Sequence, residues 1–207
     1  MTQQWLQRWQ EGNIGWHEGQ GNAGLQKYWK QSGKRVLVPL CGKALDLIWL
    51  AGQGNDVVGV ELSEIAVKAF FDENEIAYTL REGPLKAYVA KAPAITLYCG
   101  DFFEFSAERF DALYDRGALI ALPLEIRRDY VAHLRTLLAE NAAQLVVTVE
   151  YDESVATGPP FSVPASELSG YWPELERVAA YDDIANCPPK FRKAGLDRML
   201  EVVWRYP

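Results

Sequence analysis

The chain has 207 residues, 49% of them hydrophobic and 24% charged, enough for one complete core and too apolar for a disordered or fibrous protein. Lys and Arg total 21 against 28 Asp and Glu, a net charge of −7, which opposes the counterion-driven binding that nucleic acids and anionic membranes reward and points to a small ligand instead. No apolar run approaches the roughly 20 residues of a membrane-spanning helix, and Met1-Thr-Gln-Gln-Trp5 lacks the basic and apolar regions of a signal peptide, so a single cytoplasmic domain over residues 1–207, monomeric by default, is expected.

Residues 1–33 form an aromatic arm ahead of the first strand, with Trp5, Trp9, Trp16, Tyr28 and Trp29 crowded into it. Trp5 and Trp9, one helical turn apart, share a face. From 34 to 150, short β-branched runs alternate with longer amphipathic stretches, the pattern of βαβ units and a parallel sheet. The runs at 35–39, 56–60, 94–98, 110–114 and 144–149 predict strands buried on both faces. Stretches 44–51, 63–74 and 124–138 place apolar residues at helical spacing, with Ser63 standing as an N-cap. The segment 85–90, followed by Lys91-Ala-Pro93, predicts a hairpin in place of one crossover helix. Residues 152–166, carrying Gly158-Pro-Pro-Phe161, are too many for a tight connection and too Pro-rich for a slack one, which suits a shaped cover. The segments 174–180 and 198–205 predict strands that close the sheet as an antiparallel pair.

Cys41, Cys99 and Cys187 are odd in number and widely spaced, so no disulfide framework is expected. With only His17 and His133 beside them, no zinc-ligand spacing occurs and no metal is expected.

Open parallel sheets bind ligands at the carboxyl ends of their strands. The first tip turns through Val38-Pro-Leu-Cys-Gly-Lys43, with Leu40 and Gly42 at the bend. The second ends at Glu61, spaced from the first turn as an acid must be to accept both ribose hydroxyls. The third offers Gly100-Asp-Phe-Phe103, an acid and an aromatic for an adenine ring. The fourth, Tyr114-Asp-Arg-Gly117, brings the Arg116 guanidinium to the same mouth. Each has a plain structural reading: Gly42 as an ordinary turn, Glu61 as a solvated strand end, Asp101 and Asp115 as helix caps, Arg116 as a surface group. The conjunction of four suitable tips argues for a site. A Walker loop is excluded because Leu37 stands where its first glycine belongs and Ala44 where its hydroxyl belongs, and a dinucleotide loop because only one of three glycines is present. A nucleoside without pyrophosphate remains, and S-adenosyl-L-methionine is the common one.

The motifs Arg35-Val-Leu-Val-Pro-Leu-Cys-Gly-Lys43, Asp46, Val58-Gly-Val-Glu-Leu-Ser63, Gly100-Asp-Phe-Phe103, Tyr114-Asp-Arg-Gly-Ala-Leu119, Ala121-Leu-Pro123 and Gly158-Pro-Pro-Phe161 together resemble the thiopurine S-methyltransferase family, in family order and over nearly the whole chain. The resemblance implies a class I S-adenosylmethionine-dependent methyltransferase fold, a Rossmann-like α/β domain whose mostly parallel seven-stranded sheet has helices on both faces. It implies that Trp9, Leu40, Gly42, Glu61, Asp101, Phe102 and Arg116 line the S-adenosylmethionine site, with Glu61 on the ribose and Asp101 and Phe102 at the adenine. It also implies that Trp16, where the family often has Phe, and Phe161 meet the acceptor, and that Lys190 and Arg192 stand near the basic residues that reach toward it.

Methyl transfer to a soft sulfur or selenium nucleophile needs little general base, because such acceptors ionise near neutrality. Positioning is the main demand and can lower the barrier by about 7–11 kcal/mol. Arg116 is then expected to favour the acceptor anion. Trp9 and Trp16 are expected to exclude water and offer π faces to a sulfonium, an attraction of about 0.5–2 kcal/mol. Cys41 has no base near it in sequence and reads as a packing residue, and His133 reads as a surface group of its helix. The leading expectation is methylation of a thiol, a thiopurine or a selenium or tellurium oxyanion. A non-catalytic nucleoside-binding regulatory module is the alternative, and a nicotinamide-dependent oxidoreductase is disfavoured by the missing glycines.

Overall fold

Each β-branched run between 35 and 150 is a strand, and each intervening amphipathic stretch contains a helix. The computed structural model describes residues 2–14 and 19–207. In chain order the elements are α1 (Thr2–Gln10), α2 (Ala23–Tyr28), β1 (Arg35–Pro39), α3 (Asp46–Gly52), β2 (Asp56–Glu61), α4 (Glu64–Glu73), β3 (Tyr78–Arg81), β4 (Lys86–Ala90), β5 (Ile95–Cys99), β6 (Phe110–Arg116), α5 (Leu124–Leu137), β7 (Leu138–Glu150), α6 (Ala165–Tyr171), β8 (Glu176–Asp182), α7 (Pro189–Lys193) and β9 (Leu200–Tyr206).

The strands form one sheet in the order β3-β4-β5-β2-β1-β6-β7-β9-β8. The centre, β5-β2-β1-β6-β7, is parallel, whereas β3-β4-β5 on one side and β7-β9-β8 on the other pair antiparallel. The seven strands implied by the resemblance are nine among the described residues. The additional pair is β3 and β4; β4 is the expected hairpin partner of β5, and β3 escapes the pattern because Thr79, Leu80 and Arg81 are exposed and carry no inward alternation. The C-terminal closure through β8 and β9 is as expected. Strand β7 starts six residues earlier than the apolar run at 144, directly after α5. Its pairing with β6 jumps from Phe110↔Leu138 to Ala112↔Ala143, and this irregular stretch absorbs the polar Glu140 and Asn141.

Both faces of the parallel centre are buried, which is why its strands read as continuous apolar runs. Val36, Val38 and Val57 face a cluster with Leu25 of α2, Leu47 and Leu50 of α3, and Val67, Phe70 and Phe71 of α4. Leu37, Val58 and Val60 face the opposite cluster, with Tyr130, Val131 and Leu134 of α5, and Leu168 and Trp172 at α6. A smaller third cluster, Val149, Ala156, Cys187, Phe191, Leu196 and Met199, sits beyond the carboxyl end of β7 and supports the segment 152–166. Ser63 caps α4 as predicted, its hydroxyl accepting from the Ala66 amide at 3.3 Å.

Candidate functional site

The carboxyl ends of β1, β2, β5 and β6 are adjacent because those strands are neighbours in the order above, and they bring the predicted residues to one edge. After β1 the chain turns through Leu40 at φ 46° and Gly42 at φ 55°. A branched or bulky residue tolerates the left-handed region poorly, so Leu40 is held there by its surroundings. The Cys41 amide continues the ladder onto Val60 O at 3.1 Å, and the Cys41 side chain packs on Gly59, where an added Cβ would lie 2.7 Å from the sulfur. Burial and the neighbouring Glu61 push the Cys41 thiol well above its usual range, so it is a packing group and no nucleophile, as expected.

Glu61 is the centre of the turn. It is 7% exposed; one oxygen accepts from the Gly42 amide at 2.9 Å and the other from the Ser63 amide at 2.8 Å. Burial raises its carboxyl, and the Ser63, Gly42 and Leu62 amides pull it back. The amide that a phosphate-binding loop would aim at its ligand is here given to a carboxylate, which repels a pyrophosphate and leaves lone pairs for neutral hydroxyl donors. The donor set thus fits the ribose of S-adenosylmethionine and matches no phosphate cradle.

At the β5 tip, the Gly100 amide bonds Glu61 O at 2.9 Å, and Asp101 Oδ1 accepts from the Phe103 amide at 2.9 Å. Phe102 is buried, its ring 5.4 Å from that of Tyr130 and 5.1 Å from that of His133. Phe103 is 43% exposed and is the open aromatic of this tip. His133 is half-buried between these two phenylalanines, where the sequence read it as a surface group. Helical periodicity alone gave no sign that the β5 tip would reach across to α5.

At the β6 tip, Asp115 is fully buried and accepts from the Tyr130 hydroxyl at 2.7 Å and the Leu119 amide at 3.2 Å; it lies within β6, and the cap position of the turn at 119–121 is Ala118, so the cap reading holds for Asp101 and not for Asp115. Burial pushes its carboxyl up to about 6 against those hydrogen bonds. Arg116, next in the strand, is half-buried and is followed by Gly117 at φ 83°.

Two further parts close on this edge. Helix α1 carries Trp9, 8% exposed, whose ring lies over the turn after β1: a Cβ on Gly42 would come within 3.3 Å of it. Trp5 on the same helix is half-buried. Trp16 and His17 lie outside the described residues. The cover is held from beneath: the Phe161 amide donates to Ile120 O at 2.7 Å, and the Tyr151 hydroxyl to Pro160 O at 2.6 Å. Arg127 of α5, 2% exposed, donates to Leu122 O and Ser162 O, pairs with Glu167 of α6 at 2.8 Å, and lies 5.7 Å from the Phe161 ring centre. Sequence reasoning missed Arg127, because its partners lie 35 and 40 residues away. Helix α7 carries three basic residues, Lys190, Arg192 and Lys193, all of them exposed; Lys190 donates to Thr157 O of the segment 152–166 at 3.3 Å. Burial, assisted by Arg8 of α1, lowers the Lys190 ammonium. Among the described residues no group of three or more His, Cys, Asp or Glu could hold a metal ion, and no helix is long and apolar enough to cross a membrane.

Comparison with known proteins identifies the family and the fold. The sequence profile described as thiopurine S-methyltransferase matches residues 1–206. Proteins named thiopurine S-methyltransferase from Pseudomonas putida and Pseudomonas syringae pv. pisi are 47% and 45% identical to the chain, each over 97% of it and over 96% and 95% of their own lengths. Among solved structures, a Burkholderia thailandensis 1,6-didemethyltoxoflavin-N1-methyltransferase with bound S-adenosylhomocysteine superposes with a TM-score of 0.64 at 19% identity, covering 99% of this chain and 86% of that one. The N-methyltransferase NodS of Bradyrhizobium japonicum with S-adenosylhomocysteine gives 0.59 at 13% identity, covering 97% and 86%.

Proposed function

Because the chain belongs to the thiopurine S-methyltransferase family and is an S-adenosylmethionine-dependent methyltransferase, we propose that its acceptor is a soft anion, a thiopurine or other aromatic thiol or a selenium or tellurium oxyanion, methylated in the mouth at the β1, β2, β5 and β6 tips. The observation that carries the reading is the buried Glu61 carboxylate, already ordered by the Gly42 and Ser63 amides.

The donor supplies its methyl group as a sulfonium, open to in-line displacement. In this reading Glu61 accepts the two ribose hydroxyls, Leu40 and Gly42 shape the turn against the nucleoside, and Asp101 with the Phe102 peptide borders the adenine. Trp9 shields the turn from water. Arg116 favours the ionised acceptor, and its planar, permanently charged guanidinium does so with a fixed geometry that lysine lacks. Phe161 forms the apolar wall over the acceptor, with Trp16 as its expected counterpart on the arm. Lys190, drawn to the cover, is the basic residue of α7 that reaches the mouth, with Arg192 beside it as the outer charge. Of the arm over residues 1–33, the part ahead of α2 acts as a lid, while α2 and Trp29 belong to the core on the sheet face, in a single-domain, monomeric, cytoplasmic enzyme.

No strong base is required of this arrangement. A thiol ionises appreciably near neutrality, and a selenium or tellurium oxyanion arrives with its charge, so orientation and a nearby cation suffice. A screen with methyl-labelled S-adenosylmethionine tests the reading: label should appear in aromatic thiols, thiopurines, selenite or tellurite. Binding of the donor without transfer to any of these would favour a regulatory module instead.

A further inference from the structure

The chain on either side of residues 15–18 is held by one piece of the domain, the turn after β1 and the first residue of α3. On the N-terminal side the Trp9 ring rests on Gly42. On the C-terminal side the Asn22 amide donates to Asp46 Oδ1 at 2.7 Å. Gly21, at φ 72°, passes so close that a Cβ there would lie 2.8 Å from the same oxygen, so neither the backbone conformation nor the space admits a side chain.

The second Asp46 oxygen accepts from the Tyr114 hydroxyl at 2.8 Å, and Tyr114 stands two residues before Arg116 on β6. Asn22 is a node in turn: its Oδ1 caps α2 at the Leu25 amide, and its Nδ2 donates to Glu201 of β9, both at 3.0 Å. Asp46 and Asn22 are each 2% exposed. Burying a carboxylate is costly unless its hydrogen bonds are made, and α3 could be seated on the sheet by an apolar residue at less cost. The acid at this position is accounted for by what it joins: the returning arm, the helix that follows the donor turn, and the strand that delivers Arg116.

We propose that Asp46 is a positioning residue for methyl transfer, the post that seats the N-terminal arm over the donor turn and ties the arm's place to the tip carrying Arg116. The proposal rests on the assignment of the strand tips as the S-adenosylmethionine site. Without Asp46 the Asn22 amide loses its partner, and although Asn22 keeps its bonds to Leu25 and Glu201, the chain ahead of it is no longer tied to the first residue of α3 and the donor has to order it on binding. That cost falls on donor affinity before it falls on the chemical step.

The test uses the full-length chain carrying Asp46→Ala, with Tyr114→Phe as the milder variant that removes one hydroxyl and leaves α3 in place. Asp46→Ala should raise the S-adenosylhomocysteine Kd and the donor KM about tenfold or more, the equivalent of one buried hydrogen bond. Turnover at saturating donor should fall less. Amides in residues 4–14 and 19–25 should lose hydrogen-exchange protection while β2 and β6 keep theirs. Tyr114→Phe should move the same quantities in the same direction by a smaller factor, and it decides the matter if Asp46→Ala does not fold. Donor affinity within about twofold of wild type in a folded variant, or protection lost equally in β2 and β6, would overturn the proposal. A wild-type chain that does not bind S-adenosylhomocysteine would overturn the donor-site assignment first, and this proposal with it.

Discussion

Glu61 gives the most direct test of the donor site. Replacing it by alanine removes the group proposed to accept two ribose hydroxyls, and hydrogen bonds to a buried charged group contribute about 1.5–3 kcal/mol each, so on this proposal the donor should lose roughly 3–6 kcal/mol, or about 10²- to 10⁴-fold in affinity. Alanine also strips the Gly42 and Ser63 amides of their partner, which loosens the turn itself. Glu61→Gln separates the two effects, since it keeps the shape and one acceptor oxygen but removes the charge. Titration calorimetry with S-adenosylhomocysteine should rank wild type above Glu61→Gln above Glu61→Ala. A pH series adds an independent readout. Burial raises the Glu61 carboxyl, and the hydroxyls bind its ionised form, so affinity should fall as pH drops through that titration. Glu61→Gln should flatten the dependence. Affinity of Glu61→Ala within about threefold of wild type, in a chain that still unfolds cooperatively, would take Glu61 out of the site.

Arg116→Lys keeps a charge but not the planar fork, and should lower turnover at least about tenfold while changing the donor Kd little; equal losses in both would make Arg116 structural. Lys190→Met should raise the KM of anionic acceptors several-fold, whereas Arg192→Ala should leave it near wild type, and steady-state kinetics on the two variants show which basic residue reaches the mouth. Asp115 holds its proton up to about 6, above the ordinary 3.8. The folded chain therefore binds that proton more tightly than the unfolded one, and its stability should rise as pH falls from about 6 toward 4, by at most about 3 kcal/mol. Denaturant titrations across this window should show the rise in wild type and lose it in Asp115→Asn.

The features legible in the sequence are those set by local pattern. Buried parallel strands announce themselves as β-branched runs, and Ser63 as a cap, because each is decided within a few residues. The strand tips follow, since a strand that ends at Glu61 or Arg116 delivers that residue to the edge whatever surrounds it. Contacts made by folding are illegible: Asn22 meets Asp46 across 24 positions and Glu201 across 179, and Arg127 gathers the cover from residues far along the chain. Helix α7, with five residues, is too short for periodicity to tell that Lys190, and not Arg192, bonds the segment 152–166. At the β5 tip the sequence offered two adjacent aromatics, and only the packing of Tyr130 and His133 shows that Phe102 faces the core and Phe103 the open side.

The same packing explains how a site that has no catalytic His or Cys pair among the described residues is assembled. Its demands are geometric, and the rigidity comes from buried polar nodes placed behind the functional groups. Asp115 stands behind Arg116, held by Tyr130; Glu61 is fixed by two amides of its own turn; Arg127 sits under Phe161 with every contact directed at backbone oxygens or Glu167. A carbonyl dipole needs no titration to stay an acceptor, so the bonds from Arg127 to Leu122 O and Ser162 O hold the cover without depending on pH. On the acceptor side of the mouth the groups proposed to meet the substrate, Arg116 and Lys190, are by contrast cations, in a chain whose net charge is −7. Local positive charge against a negative whole attracts a small anion into the mouth without favouring polyanions, and an acceptor that enters already ionised needs only to be aimed.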